Sequence, residues 1–178
     1  MSQEYFWLNN QLHPDSTTYN IPSVLNITGP LNIPALEISI NNVINRHEAL
    51  RMTFPHQTGH PEHHIPKQLI LDLEQTDFRR ISDQEKLKKL ICKEIVRPFN
   101  LTTGPLIRIH LIHLDTEQYV LIITIHHIII DLRSKELLGS EISACYNSII
   151  KDKKWPFGEE PVPYSRLISR YKEWISTR

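Results

Sequence analysis

Tyr119-Val-Leu-Ile-Ile-Thr-Ile-His-His-Ile-Ile-Ile-Asp131, continued by Leu132-Arg-Ser-Lys-Glu-Leu-Leu138, is the stretch on which the fold turns. An apolar, β-branched run ends in two adjacent histidines, and a carboxylate follows four residues after the second. Beyond Asp131, Leu137, Leu138, Ile142, Cys145, Ile149 and Ile150 recur at helical spacing. The histidines therefore stand where a buried strand gives way to a helix, a common place for an α/β domain to put its chemistry. If the strand reaches His127, alternation puts that ring on the face of Leu121, Ile123 and Ile125, and His126 on the face of Thr124. One histidine of the pair can then face a cleft while the other packs or bonds to backbone.

The chain has 178 residues, the size of one domain with a real core. Formal net charge is zero and the pI about 7.2, so no global field recruits nucleic acid or an anionic membrane. No apolar run approaches the roughly 20 residues of a membrane helix, and Met1-Ser-Gln-Glu does not begin a signal peptide. Cys92 and Cys145 are too few for a disulfide framework and read as buried free thiols on helices. A reducing cytoplasm is the expected compartment.

In chain order, a helix is expected over 2–12 with Tyr5, Leu8 and Leu12 on one face, then a strand over 23–29. A helix follows from Asn32, with Pro34 in its first turn and Leu36, Ile40, Val43, Ile44 and His47 inward. Strands are expected over 50–54 and 69–73, and an amphipathic helix over 83–96 stopped by Pro98. Two strong strands, 106–114 and 118–126, form a hairpin, and helices span about 134–150 and 164–174. This order predicts one domain, an α/β (α+β) sandwich with helices covering a mixed sheet.

His126-His-x3-Asp131 admits two readings. In the functional one, His127 is a general base, because an imidazole with an ordinary pKa near 6.5 can take a proton at cellular pH. Asp131 then orients the local backbone through a salt bridge. In the structural one, both histidines end a strand and Asp131 caps the next helix. His56, His60, His63 and His64 crowd a proline-rich loop that reads as a histidine-bearing surface rather than a metal site. His110 and His113 lie on opposite faces of one strand. The chain has no phosphate-binding glycine loop, nucleophile elbow or Cys-x-x-Cys pair.

Four stretches, in order, resemble the condensation domains of nonribosomal peptide synthetases and their hybrid polyketide relatives. They are Ser2-Gln3 through Trp7 with Tyr19-Asn-Ile-Pro22; Arg46-His-Glu-Ala-Leu-Arg51-Met-Thr-Phe54; Pro98-Phe-Asn-Leu-Thr-Thr-Gly-Pro-Leu106-Ile-Arg108; and His126-His-Ile-Ile-Ile-Asp131-Leu132. The last matches the active-site motif HHxxxDG except at its final residue. The resemblance implies a chloramphenicol-acetyltransferase-like fold of two lobes, with the active site in a tunnel between them. Residues 1–178 then correspond to the N-terminal lobe, without the C-terminal lobe. It implies no cofactor bound by this chain, since acyl groups arrive on the phosphopantetheine of donor and acceptor carrier proteins. The acceptor amine, or a hydroxyl, attacks the donor thioester, with His127, beside His126, as base or positioning residue. Asp131 is structural and pairs with an arginine, Arg51 by preference and Arg108 in reserve. The partners implied are carrier proteins, the missing lobe and neighbouring synthetase domains.

Leu132 stands where the motif has glycine, which is expected to crowd the backbone and pantetheine beside the histidine. Half a tunnel also cannot hold both substrates in line, so the 178 residues alone are expected to be nearly inactive. The alternative is an inactive half-domain that binds a carrier protein or partner lobe. An acyltransferase using free coenzyme A would share only the His-x3-Asp pattern and ranks last.

Overall fold

The computed structural model describes residues 3–55, 59–81 and 83–176. In order these form α1 (Gln3–Leu12), β1 (Asn20–Thr28), α2 (Ile33–Arg46), a 3-10 turn (Glu48–Arg51), β2 (Glu74–Asp77), α3 (Gln84–Ile95), β3 (Ile107–Asp115), β4 (Gln118–His126), α4 (Leu132–Ile150) and α5 (Tyr164–Ser176). The strands make one mixed sheet in the order β1-β4-β3-β2, with only the β2–β3 pair parallel. The result is the α/β arrangement of helices on a mixed sheet that the element order predicts.

β4 lies between β1 and β3, which explains its unbroken apolar run. Every residue from Tyr119 to His126 is buried, as expected of a strand covered on both faces. Tyr119, Leu121, Ile123 and Ile125 join the main core with α1, α2 and α4, whereas Val120 and Ile122 join a smaller core with Leu87 of α3. The register pairs Asn20 with His126 at one end and Thr28 with Gln118 at the other. The whole of β1 therefore runs alongside the strand that delivers the histidines, three residues longer at its start than the alternation of 23–29 indicates.

Two expected strands take other forms. Residues 50–54 are all buried, so they carry no alternating pattern. They continue the 3-10 turn into a single bridge between Thr53 and His64. Residues 69–73 form no strand and lie against a helix instead. Asn41 Nδ2 donates to Leu71 O at 2.9 Å and Asn41 Oδ1 accepts from Leu71 N at 2.8 Å. Asn45 does the same with Leu69, at 2.7 and 3.0 Å, and Glu37 Oε1 accepts from Leu73 N at 3.0 Å. Positions 37, 41 and 45 share one helix face, so α2 supplies the ladder partners that a neighbouring strand otherwise would.

α1 is rotated from its expected face. Phe6 and Trp7 are buried, while Tyr5, Leu8 and Leu12 are exposed. Of the two thiols only Cys145 is buried; Cys92 is exposed on α3, which buries Leu87 and Glu94 and packs Leu90 and Ile91 against the smaller core. Among the described residues, no helix is long and apolar enough to cross a membrane.

Candidate active site

The two histidines part company at the end of β4. His126 is the last strand residue, 3 % exposed, with its ring edge-on to Tyr19 and Phe99. Its Nδ1 accepts the backbone N–H of Ile128 at 3.1 Å, which leaves the ring proton on Nε2. Burial, and secondarily the neighbouring His127, pushes its pKa down to about 4, so it is neutral at physiological pH. His127 begins the turn. Its N–H donates to Tyr19 O at 2.8 Å, and its ring stacks on Phe6 with centroids 4.9 Å apart and planes 25° apart. His127 Nδ1 is buried and has no hydrogen-bond partner. The Nε2 edge is thus the part of this ring that a substrate can reach.

Asp131 is the N-cap of α4, accepting the Ser134 N–H at 2.8 Å. The backbone and hydroxyl of Ser134, and more weakly His127, hold its carboxyl below the usual range. Neither candidate arginine pairs with it. Arg51, 8 % exposed, donates from Nε to Pro66 O at 3.1 Å and from Nη1 to Ile44 O and Asn45 O. Arg108 donates to the carbonyls of Glu94, Arg97 and Pro98 and stacks on Phe99 at 3.7 Å. Each guanidinium closes off a helix C-terminus, α2 for Arg51 and α3 for Arg108, where free carbonyls attract a cation. The salt bridge expected for Asp131 is therefore replaced by a helix cap. Leu132 is the first residue of α4, with 72 % of its surface exposed. Its side chain does not line the space beside His127.

That space is an open trough of about 500 Å³. Its walls are Gln3 and Phe6 of α1, Ala49 of the 3-10 turn, residues 127–131, Ser134 of α4 and Tyr164 of α5. His126 is not among them. Gln3 and Ala49 fall within the first and second resembling stretches and Tyr164 within none, and all three were not legible as site residues, because they are distant in sequence and carry no catalytic group of a known motif. Gln3 ties the site together: Nε2 donates to Ile128 O at 2.9 Å, and Oε1 meets His63 Nε2 at 2.9 Å. Tyr164 is held from the other side, since Glu48 Oε2 accepts the N–H of Ser165 at 2.8 Å.

The remaining histidines do not converge. His60 Nδ1 lies 3.8 Å from Glu4 Oε1, His63 bonds Gln3, and His64 pairs through its backbone with Thr53; His56 lies outside the described residues. His110 bonds Thr76 and His113 bonds Gln75. Among the described residues, Glu74, Glu94 and His110 bring ligand atoms within 4.8 Å of one another. Arg97 already sits there, 3.5 Å from Glu74 and 3.6 Å from Glu94, so a guanidinium fills the role of the cation.

Comparison with known proteins adds an independent line. The family model described as Condensation domain matches residues 1–177. Similar curated proteins include a linear gramicidin synthase of Brevibacillus parabrevis, 34% identical over 177 residues, and malpinin synthetase of Mortierella alpina, 33% identical over 176. Each alignment covers 98% of this chain and 2% of the relative. The starter condensation domain of rhizomide synthetase RzmA superposes with a TM-score of 0.87 at 23% identity, over 97% of this chain and 42% of that one. The first condensation domain of the CDA synthetase gives 0.78 at 21%, over 89% and 41%. At such identities the likeness is one of fold.

Proposed function

The chain belongs to the condensation-domain family, and on that premise we propose that it forms the N-terminal lobe of an amide-forming site centred on His127. The observation that carries this reading is that one half-buried histidine ring lines the trough while its buried neighbour locks the turn beneath it. The donor is an acyl or peptidyl thioester on the phosphopantetheine of one carrier protein; the acceptor is an amine, or a hydroxyl, on a second. The acceptor nitrogen attacks the thioester carbonyl carbon, a C–N bond forms and the C–S bond breaks. His127 takes the proton lost by the amine, and the departing thiolate leaves as a thiol after protonation. General-base assistance of this kind contributes about 10²–10⁴-fold. His126 and Asp131 act through structure, one orienting the turn and the other starting α4.

The trough is open on one side, and Leu132 and Leu137 of the adjoining α4 are exposed. These features support a second lobe closing the site, as they leave apolar surface and an unroofed base. The test is amide formation from two loaded carrier proteins by this chain, alone and joined to a condensation-domain C-terminal lobe. Turnover only in the joined form, lost in His127→Ala, is the expected result. Equal turnover by His127→Ala would sink the assignment. Carrier binding without turnover in either format would favour the second reading, a non-catalytic binding module.

A further inference from the structure

Five polar side chains line the trough: Gln3, His127, Asp131, Ser134 and Tyr164. Three are already committed. The Gln3 amide bonds Ile128 O and His63, and Asp131 and Ser134 bond each other in the α4 cap. Three backbone donors of the turn are committed as well. The N–H of His127 goes to Tyr19 O, that of Ile128 to His126 Nδ1, and that of Ile129 to His126 O. The Tyr164 hydroxyl makes no hydrogen bond to any described residue. Burial raises its pKa, so it stays protonated and able to donate at neutral pH.

Amide formation as proposed above requires such a donor. As the acceptor attacks, negative charge develops on the thioester carbonyl oxygen, and a donor placed there before reaction lowers the barrier. His127 is occupied with the acceptor's proton. We propose that the Tyr164 hydroxyl donates a hydrogen bond to the carbonyl oxygen of the acyl thioester, and that Glu48 is the positioning residue that holds Tyr164 in the wall. Glu48 reaches α5 across 117 residues of sequence and accepts the N–H of Ser165, the residue after Tyr164. The second motif of the sequence thereby acts on the site through α5.

This inference rests on the proposed function, but its first test does not need turnover. Acetyl-pantetheine labelled with ¹³C at the carbonyl is added to the chain and the carbonyl stretch is read by infrared difference spectroscopy. Wild type is expected to shift the bound band to lower frequency; Tyr164→Phe, which keeps the ring and loses the donor, is expected not to. Glu48→Gln, which still offers an acceptor to Ser165, is expected to keep the shift, and Glu48→Ala to lose it. No difference between wild type and Tyr164→Phe, whether both bands shift or neither does, overturns the proposal. In the amide assay with the completed domain, Tyr164→Phe is expected to lower kcat about 10²-fold with little change in KM. Full activity of His127→Ala in that assay would fail the function while leaving the infrared result to stand or fall separately.

Discussion

The backbone N–H of Ile128 donates to Nδ1 of His126 at 3.1 Å, so the buried histidine of the pair braces the turn that carries the other. A histidine in this role must be neutral, since protonation at Nδ1 removes the acceptor and places a charge in the core. The turn, the N-cap and the half-buried ring of His127 follow within six residues. The compactness of the motif thus reflects one short connection in which three side chains do three different jobs.

The first prediction concerns pH. The His126 pKa is about 4 folded, against about 6.5 in the unfolded chain. Between these values the unfolded state binds more protons, so stability rises with pH across that window and is lost as pH falls through it. The loss is on the order of 3 kcal/mol between pH 6.5 and 4. His126→Asn, which retains an acceptor for Ile128, is expected to flatten that dependence in denaturant titrations. An unchanged slope would show that the turn does not depend on a neutral His126.

Asp131 and Arg51 are expected to be energetically independent. Asp131→Ala removes a helix cap, at about 1 kcal/mol, and Asp131→Asn largely preserves it. Arg51→Ala strips carbonyls of Ile44, Asn45 and Pro66 of their donor, at a cost on the order of 3 kcal/mol. The double variant should show the sum within about 0.5 kcal/mol. A coupling above about 1 kcal/mol would restore the ion pair.

Leu132→Gly restores the motif residue. Leu132 lies at an exposed first helical position and outside the trough, so the exchange is expected to cost at most about 1 kcal/mol in helix stability. Turnover of the completed domain should stay within about twofold, well under the tenfold that 1.4 kcal/mol would bring. A large gain in kcat would show that this side chain does obstruct the substrate.

Asn41→Ala deletes both bonds to Leu71 and leaves a backbone donor and acceptor with no ladder partner. The expected loss is about 2–3 kcal/mol by thermal denaturation. Asn41→Asp keeps the acceptor for Leu71 N and forfeits only the donor, so it should fall between the two. Equal stability of Asn41→Ala and wild type would mean that water replaces the amide without penalty.

These positions also show what a reader of the sequence could and could not see. β3, β4 and α4 were legible because long apolar runs and helical periodicity are set by burial, and burial leaves its mark on composition. The alternation at Leu69, Leu71 and Leu73 was equally real, but it reports one-sided burial and is silent about what fills the hydrogen-bonding edge. Here that edge is filled by asparagine side chains, which carry no periodicity of their own. β2, Glu-Gln-Thr-Asp, is polar and short, and it is a strand only because β3 lies beside it. At the site, His127 and Asp131 were visible as a motif. The Arg51 pairing failed because an arginine near a helix end finds carbonyls closer than any carboxylate. Gln3 and Tyr164 reach the trough from opposite ends of the chain, and no local pattern encodes that meeting.

That meeting has a consequence for how the molecule fails. The core of α2, α4 and the inner strands can stay intact while α5 separates, because α5 meets the 3-10 turn through few groups, whereas α1 puts Phe6 and Trp7 into that core. Peripheral segments open at lower free energy than the core. On gentle heating, the trough should therefore come apart before the sheet melts, with amide protons of α5 exchanging ahead of those of β4. The ability to hold a substrate becomes a more sensitive gauge of the fold's integrity than any signal from its secondary structure.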